Sequence, residues 1–123
     1  MAKHAPRFLE IVNAARLEIR ECTVADVKQK LDAGEEFILL DVREVHEHQI
    51  CHIPQAHLVP LGTIPGVLNE LDPAKKYIVH CKMGGRSAQA ARALVAAGFA
   101  DVTNMEGGIT GWAQQIDPSI PTY

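Results

Sequence analysis

Seven consecutive residues, Cys81-Lys82-Met83-Gly84-Gly85-Arg86-Ser87, bring a thiol, two cations, two glycines and a hydroxyl into one short stretch. Before them Tyr77, Ile78 and Val79 form an apolar run of strand type. After them Ala88, Ala91, Leu94 and Val95 recur at helical spacing up to Gly98. Cys81 therefore opens a strand-to-helix loop. The glycines allow such a loop to curl and aim successive amides inward beside a helix N-terminus, which makes an anion cradle. A thiolate at its centre is a nucleophile held ready. Lowering a thiol pKa by about two units takes roughly 2.7 kcal/mol. A helix terminus supplies roughly 0.3–1 kcal/mol, or about 2 when partly buried, so several charge-assisted N–H bonds must supply the remainder. Lys82 and Arg86 add positive potential if they face the pocket. The competing reading is a cysteine buried as a small hydrophobe, with glycines that merely cap a turn. The strand end, the helix start and the two cations favour the chemical reading.

Other residues invite chemistry and carry less of it. His46, His48, Cys51 and His52 resemble a zinc ligand set, and helical spacing lets His48 and His52 share a face. Pro54 lies close, however, and a structural site needs four closed ligands, so no metal and no cofactor is expected. His80 precedes Cys81 on the strand, and its side chain is expected to point the opposite way and pack. Cys51 is expected to pack too, with a role as a second sulfur acceptor or resolving thiol as the alternative. Trp112 is expected to anchor the last short helix to the core.

At 123 residues the chain has the length of one domain. Its 12 basic and 15 acidic residues give a formal charge of −3, which offers no footing for nucleic acid or an anionic membrane as partner. No apolar run approaches the roughly 20 residues that span a bilayer. Met1 to Pro6 is not followed by a signal-peptide core, so a cytoplasmic location is expected. Cys22, Cys51 and Cys81 stand at unrelated spacings, which argues for reduced thiols over a disulfide framework.

The elements that must position Cys81 follow from periodicity. Phe8, Leu9, Ile11, Val12, Ala15 and Ile19 predict a leading helix over residues 7–19 after Pro6, so residues 1–20 read as a helical extension and 21–123 as the domain proper. Thr23-Val24-Ala25-Asp26 has the form of a capping box, and Val24, Val27 and Leu31 follow on one face until Gly34. Phe37 to Leu40 is an apolar run suited to a parallel strand covered on both faces. Then come a short helix near Glu44 to Gln49, a short strand near His57 to Val59, a helical stretch over 63–71 and the strand at Tyr77. After the helix that begins near Ser87 follow a strand over Asp101 to Asn104, a Gly107-Gly108 turn and a short helix over Ile109 to Gln115. Strands separated by helices imply an α/β fold with a mostly parallel sheet covered on both faces. Ligands bind beyond the carboxyl ends of such strands, where Asp41 and Cys81 both fall.

Three blocks, "LLDVREVHEHQICHIPQAHLVPL", "YIVHCKMGGRSAQAARALVAAGF" and "VTNMEGGITGW", resemble in order those of a rhodanese-like sulfurtransferase domain over about residues 20 to 116. The tail "GGITGWAQQIDPSIPTY" is similar to rhodanese domains attached to enzymes that adenylate sulfur carriers. The resemblance implies a five-stranded domain in which Cys81 becomes a persulfide and Lys82, Met83, Gly84, Gly85, Arg86 and Ser87 form the substrate loop. It also places Asp41 and Arg43 at the floor of the site as an ion pair that supports it structurally. Arg86 has two open readings, as a substrate contact or as the partner of a carboxylate under the loop. Lys82 is the favoured substrate contact.

Four residues separate Cys81 from Arg86, one fewer than in related cysteine phosphatases. The smaller ring suits a terminal sulfur better than a phosphate, whose oxygens need more room. The resemblance implies thiosulfate or a persulfide as sulfur donor and a thiol, cyanide or a sulfur-carrier protein as acceptor. Two departures qualify it: Met83 is apolar where thiosulfate-using members often carry a second cation, and Cys51 and Gln55 replace glycines of the Cys51-His52-Ile53-Pro54-Gln55-Ala56 block. A rhodanese-fold binding module without turnover, and a cysteine phosphatase or arsenate reductase, are the alternatives.

Overall fold

The computed structural model describes residues 19–123; the leading helix expected over residues 7–19 lies outside them except for Ile19. Among the described residues, β1 (Arg20–Cys22), β2 (Ile38–Asp41), β3 (His57–Leu58), β4 (Lys76–His80) and β5 (Asp101–Met105) form one sheet. Its order is β1-β5-β4-β2-β3, and every neighbouring pair is parallel. The helices are α1 (Val24–Asp32), α2 (Val45–Ile50), α3 (Ile64–Val67), α4 (Gly85–Ala96) and α5 (Gly108–Gln115). The expected α/β class is observed, with a sheet that is parallel throughout.

Alternation along the central strands divides the core into two layers. Tyr77 and Val79 of β4 pack with Ile64 of α3 and Ala90, Ala91 and Leu94 of α4 on one face. Ile78 packs on the other with Val24 and Val27 of α1 and Trp112 and Ala113 of α5. At the start of α1 the Thr23 hydroxyl accepts the Asp26 amide at 3.0 Å, and the Asp26 carboxylate accepts the Thr23 amide at 2.9 Å. This reciprocal cap contributes about 1 kcal/mol.

Three elements differ from the periodicity reading. β1 gave no strand signal, because Arg20 and Glu21 are exposed and the strand is an edge of three residues held by pairing with Thr103, Asn104 and Met105. It begins at Arg20, so the sheet takes in the last residue of segment 1–20. The stretch over 63–71 is broken into a 3-10 turn (Leu61–Thr63), α3 and a second 3-10 turn (Leu68–Glu70). Pro65 is tolerated in the first turn of α3 but cannot donate back to Leu61, which keeps the preceding 3-10 turn from merging into it, and Gly66 is a poor helix former. Helix α4 starts at Gly85, two residues before Ser87, since no side chain caps it and the turn is made by Gly84.

The chain leaves β2 toward β3 in one direction across the sheet and leaves β4 toward β5 in the other. The boundary between β2 and β4 is therefore a topological switch point, the place where parallel sheets open a crevice. Asp41 lies opposite His80 there, and the Val42 amide reaches the His80 carbonyl at 3.0 Å. Cys81 is the next residue.

Helix α5 braces the Cys81 backbone from the other side. Its Ile109 amide donates to the Cys81 carbonyl at 2.9 Å and its Thr110 amide to the Lys82 carbonyl at 3.1 Å. Gly108 has φ +57°, and a Cβ there would run into both carbonyls. Gly108→Ala is expected to cost about 1–3 kcal/mol in urea unfolding. Gly66→Ala, where a Cβ meets nothing within 4 Å, is expected to leave stability unchanged or slightly raised.

Candidate active site

Strand β4 delivers Cys81, 2% exposed, into a loop that reverses at Gly84. Gly84 has φ +121°, a conformation a side chain would strain, and it turns its amide onto Cys81 Sγ at 3.0 Å. Ser87, buried in the first turn of α4, places its hydroxyl 3.3 Å from Sγ and 3.2 Å from the Gly84 carbonyl. The hydroxyl has one proton to give, and a charged sulfur is the stronger acceptor. Asn104 Nδ2 donates to the same carbonyl at 3.4 Å and to Glu21 at 3.0 Å, which ties the Gly84 peptide to β5 and β1.

Burial by itself pushes the Cys81 thiol up. The Ser87 hydroxyl and the amides of Ser87, Gly84 and Met83 outweigh it and hold the thiol below its ordinary value. Cys22 shows the opposite balance: burial, with Asp26 nearby, pushes its thiol up to about 11. Cys51 is buried in the core, with Sγ 3.5 Å from the Pro121 carbonyl. Of the three cysteines, Cys81 is the one at the head of a loop that turns an amide and a hydroxyl toward its sulfur.

The two loop cations are held differently. Arg86 grips Glu47 with both terminal nitrogens, at 2.5 and 2.9 Å. Lys82 rests its ammonium 4.5 Å from the centre of the Tyr123 ring. Met83 is 69% exposed.

Beneath the loop, Asp41 and Arg43 form a pair with no exposed side-chain surface. Arg43 Nε reaches Asp41 Oδ1 at 2.9 Å and Nη2 reaches Oδ2 at 2.6 Å. The remaining three guanidinium protons go to the Cys51 carbonyl at 2.7 Å, the Tyr123 hydroxyl at 2.9 Å and the Glu47 carbonyl at 3.4 Å. Such full satisfaction is what makes a buried ion pair tolerable. His80 is buried behind Asp41, with Nε2 3.9 Å from Oδ2 and Nδ1 3.2 Å from the Cys81 carbonyl. Burial lowers its pKa against the opposing pull of Asp41. His48 and His52 stack ring on ring, and among the described residues no three His, Cys, Asp or Glu side chains converge as metal ligands.

Glu47, Tyr123 and Asn104 stand out only in three dimensions. Glu47 sits between His46 and His48 in a polar stretch, where nothing marks one carboxylate as buried. Tyr123 lies 80 residues from the guanidinium it meets. The Gly107-Gly108 turn was legible, but not the carbonyls it touches.

Arg86 is the main cause that holds the Glu47 carboxyl down to about 2, with the Glu44 amide and the Tyr123 hydroxyl assisting against burial. A depressed carboxyl stabilises the fold fully above its unfolded value near 4.5, and this contribution is lost as pH falls toward 2. In urea titrations Glu47→Gln is therefore expected to be less stable than wild type at pH 7, with the gap closing toward pH 2. Ser87→Ala is expected to move the pH profile of Cys81 alkylation to higher pH, since a donor to the thiolate is gone.

The family model for the Rhodanese-like domain matches residues 23–115. YtwF of Bacillus subtilis, named as a sulfurtransferase, is 39% identical over 102 residues, covering 83% of this chain and 98% of that protein. MoeZ of Mycobacterium tuberculosis, named as an adenylyltransferase/sulfurtransferase, is 37% identical over 103 residues, covering 82% of this chain and 26% of its own length. The chain likewise spans 40% of an Arabidopsis thaliana rhodanese-like relative. A rhodanese-like domain protein from Staphylococcus aureus superposes with a TM-score of 0.72 at 35% identity, covering 76% of this chain and 91% of that one. With this fold, this loop and these relatives, the chain belongs to the rhodanese-like family.

Proposed function

We propose that the protein is a sulfurtransferase that carries sulfane sulfur on Cys81. The observation that supports this most is the buried Sγ facing the Gly84 amide and the Ser87 hydroxyl within a short loop. The reaction is a double displacement. Cys81 thiolate attacks the outer sulfur of thiosulfate; the S–S bond breaks, sulfite leaves with the bonding pair, and Cys81 keeps the sulfur as a persulfide anion. With a persulfide donor the leaving group is a thiolate. The acceptor then attacks the terminal sulfur, and the pair of the breaking S–S bond returns to Cys81. Cyanide leaves as thiocyanate and a thiol as a persulfide, so no oxidant or cofactor is consumed.

The terminal sulfur needs donors around it because it carries the charge between the two steps. Gly84, Gly85 and the first turn of α4 provide backbone for this, and Met83 adds no charge. Lys82 is the loop cation we assign to the donor, while Arg86 serves the loop through Glu47. Asp41 and Arg43 keep the floor rigid. The resemblance of the tail to rhodanese domains attached to enzymes that adenylate sulfur carriers supports a sulfur-carrier protein among the acceptors, beside low-molecular-weight thiols and cyanide. Three free thiols, Cys22, Cys51 and Cys81, favour a reducing compartment such as the cytoplasm.

Incubation with thiosulfate or a persulfide donor, followed by mass spectrometry, is expected to show one added sulfur atom on Cys81 that cyanide removes. Cys81→Ala, which retains Cys22 and Cys51, is expected to show none. An unmodified wild type would leave a binding module as the reading, and phosphatase turnover would replace it with the phosphatase one.

A further inference from the structure

Tyr123 belongs to neither the Cys81 loop nor its floor, yet its side chain meets groups from both. Its hydroxyl accepts a hydrogen bond from Arg43 Nη1 at 2.9 Å and donates one to Glu47 Oε2 at 2.9 Å. Its ring centre lies 4.5 Å from the Lys82 ammonium and 5.7 Å from the Arg43 guanidinium. The tail that carries it is fastened: Ile120 is buried in the core layer of Trp112, its amide reaches the Asp117 carbonyl at 3.1 Å, and Cys51 Sγ meets the Pro121 carbonyl at 3.5 Å. The ring is thus fixed from both ends, by tail packing and by its own hydroxyl.

The partners of the nearby cations differ in kind. Asp41 neutralises Arg43 and Glu47 neutralises Arg86. Among the described residues Lys82 has no carboxylate within ion-pair distance, and its contact is an aromatic face. A carboxylate would cancel the charge it held in place, whereas a π face orients an ammonium and leaves it positive toward everything else.

We propose that Tyr123 is a positioning residue: its ring holds the Lys82 ammonium beside the Cys81 loop and so gives Cys81 a preference for anionic over neutral reaction partners. Selection of an anionic sulfur donor rests on the sulfurtransferase reading, whereas the placement of the charge does not. The hydroxyl fixes the ring, and the ring fixes the cation.

The test compares an anionic and a neutral alkylating reagent, iodoacetate and iodoacetamide, on the full chain, with modification of Cys81 read by peptide mass spectrometry. Tyr123→Leu is expected to lower the ratio of iodoacetate to iodoacetamide rates about threefold or more, because only the anionic reagent feels the cation. Tyr123→Phe keeps the ring but loses the hydroxyl that ties it to Arg43 and Glu47, so its ratio is expected to fall between those of wild type and Tyr123→Leu, and Tyr123→Leu in a Lys82→Met background is expected to change the ratio no further. The thiosulfate KM is expected to rise by the same factor in Tyr123→Leu with kcat little changed. Equal loss for both reagents, a Tyr123→Phe ratio as low as that of Tyr123→Leu, or additive effects in the double variant would overturn the proposal. Should Tyr123→Leu fail to fold, proton NMR of the wild type decides: Lys82 ε-methylene protons displaced upfield by the ring support the contact, and unshifted protons overturn it. If only the sulfurtransferase reading is wrong, Cys81 takes no sulfur from thiosulfate while the alkylation ratio still falls in Tyr123→Leu.

Discussion

A sulfur atom with almost no contact with water, faced by converging hydrogen-bond donors, is the feature on which the rest of this structure depends. Desolvation alone would push the Cys81 thiol up, as it does that of Cys22 with Asp26 nearby. What reverses the balance at Cys81 is a set of donors that converge on one point, from a left-handed glycine and from the first turn of a helix. The donors must already be in place, since a loop that had to reorganise around each new charge would give back the stabilisation.

Fixing that loop accounts for much of what surrounds it. Strand β4 sets where it begins and α4 where it ends. The amides of α5 hold the carbonyls of Cys81 and Lys82, so the loop's acceptors face the braces while its donors face the sulfur. Asn104 does the same for the Gly84 carbonyl. The polar groups below follow a related logic: Asp41, Arg43, Tyr123, Glu47 and Arg86 form a chain of charge-assisted hydrogen bonds in which each buried charge has its partner. Removal of one member strands the next, which is costlier than the loss of the bond itself.

The arrangement also sorts cations by role. Two guanidiniums are spent on carboxylates and make structure; one ammonium is laid against an aromatic ring and keeps its charge. Arginine suits the first task because its planar fork takes a carboxylate with two bonds, and lysine suits the second because it is a point charge on a flexible stem. A reading from residue types alone leaves Arg86 and Lys82 equivalent, since both are positive and both lie in the loop. Only their partners separate them.

The sequence by itself determined the class of fold, the strand and helix on either side of Cys81, the capping box at Thr23 and the loop's chemical character. All of these rest on neighbours within a few residues, or on periodicities that one element carries alone. Tertiary structure decided the rest. β1 exists because β5 offers it hydrogen bonds, not because its own residues favour a strand. Glu47 meets Arg86 across 39 residues, and Tyr123 meets Glu47 across 76 and Arg43 across 80. Pairings of that kind leave no local trace, because a carboxylate or a phenol looks the same in sequence whether water or a buried guanidinium awaits it; only the closing of the sheet and the return of the tail choose between them.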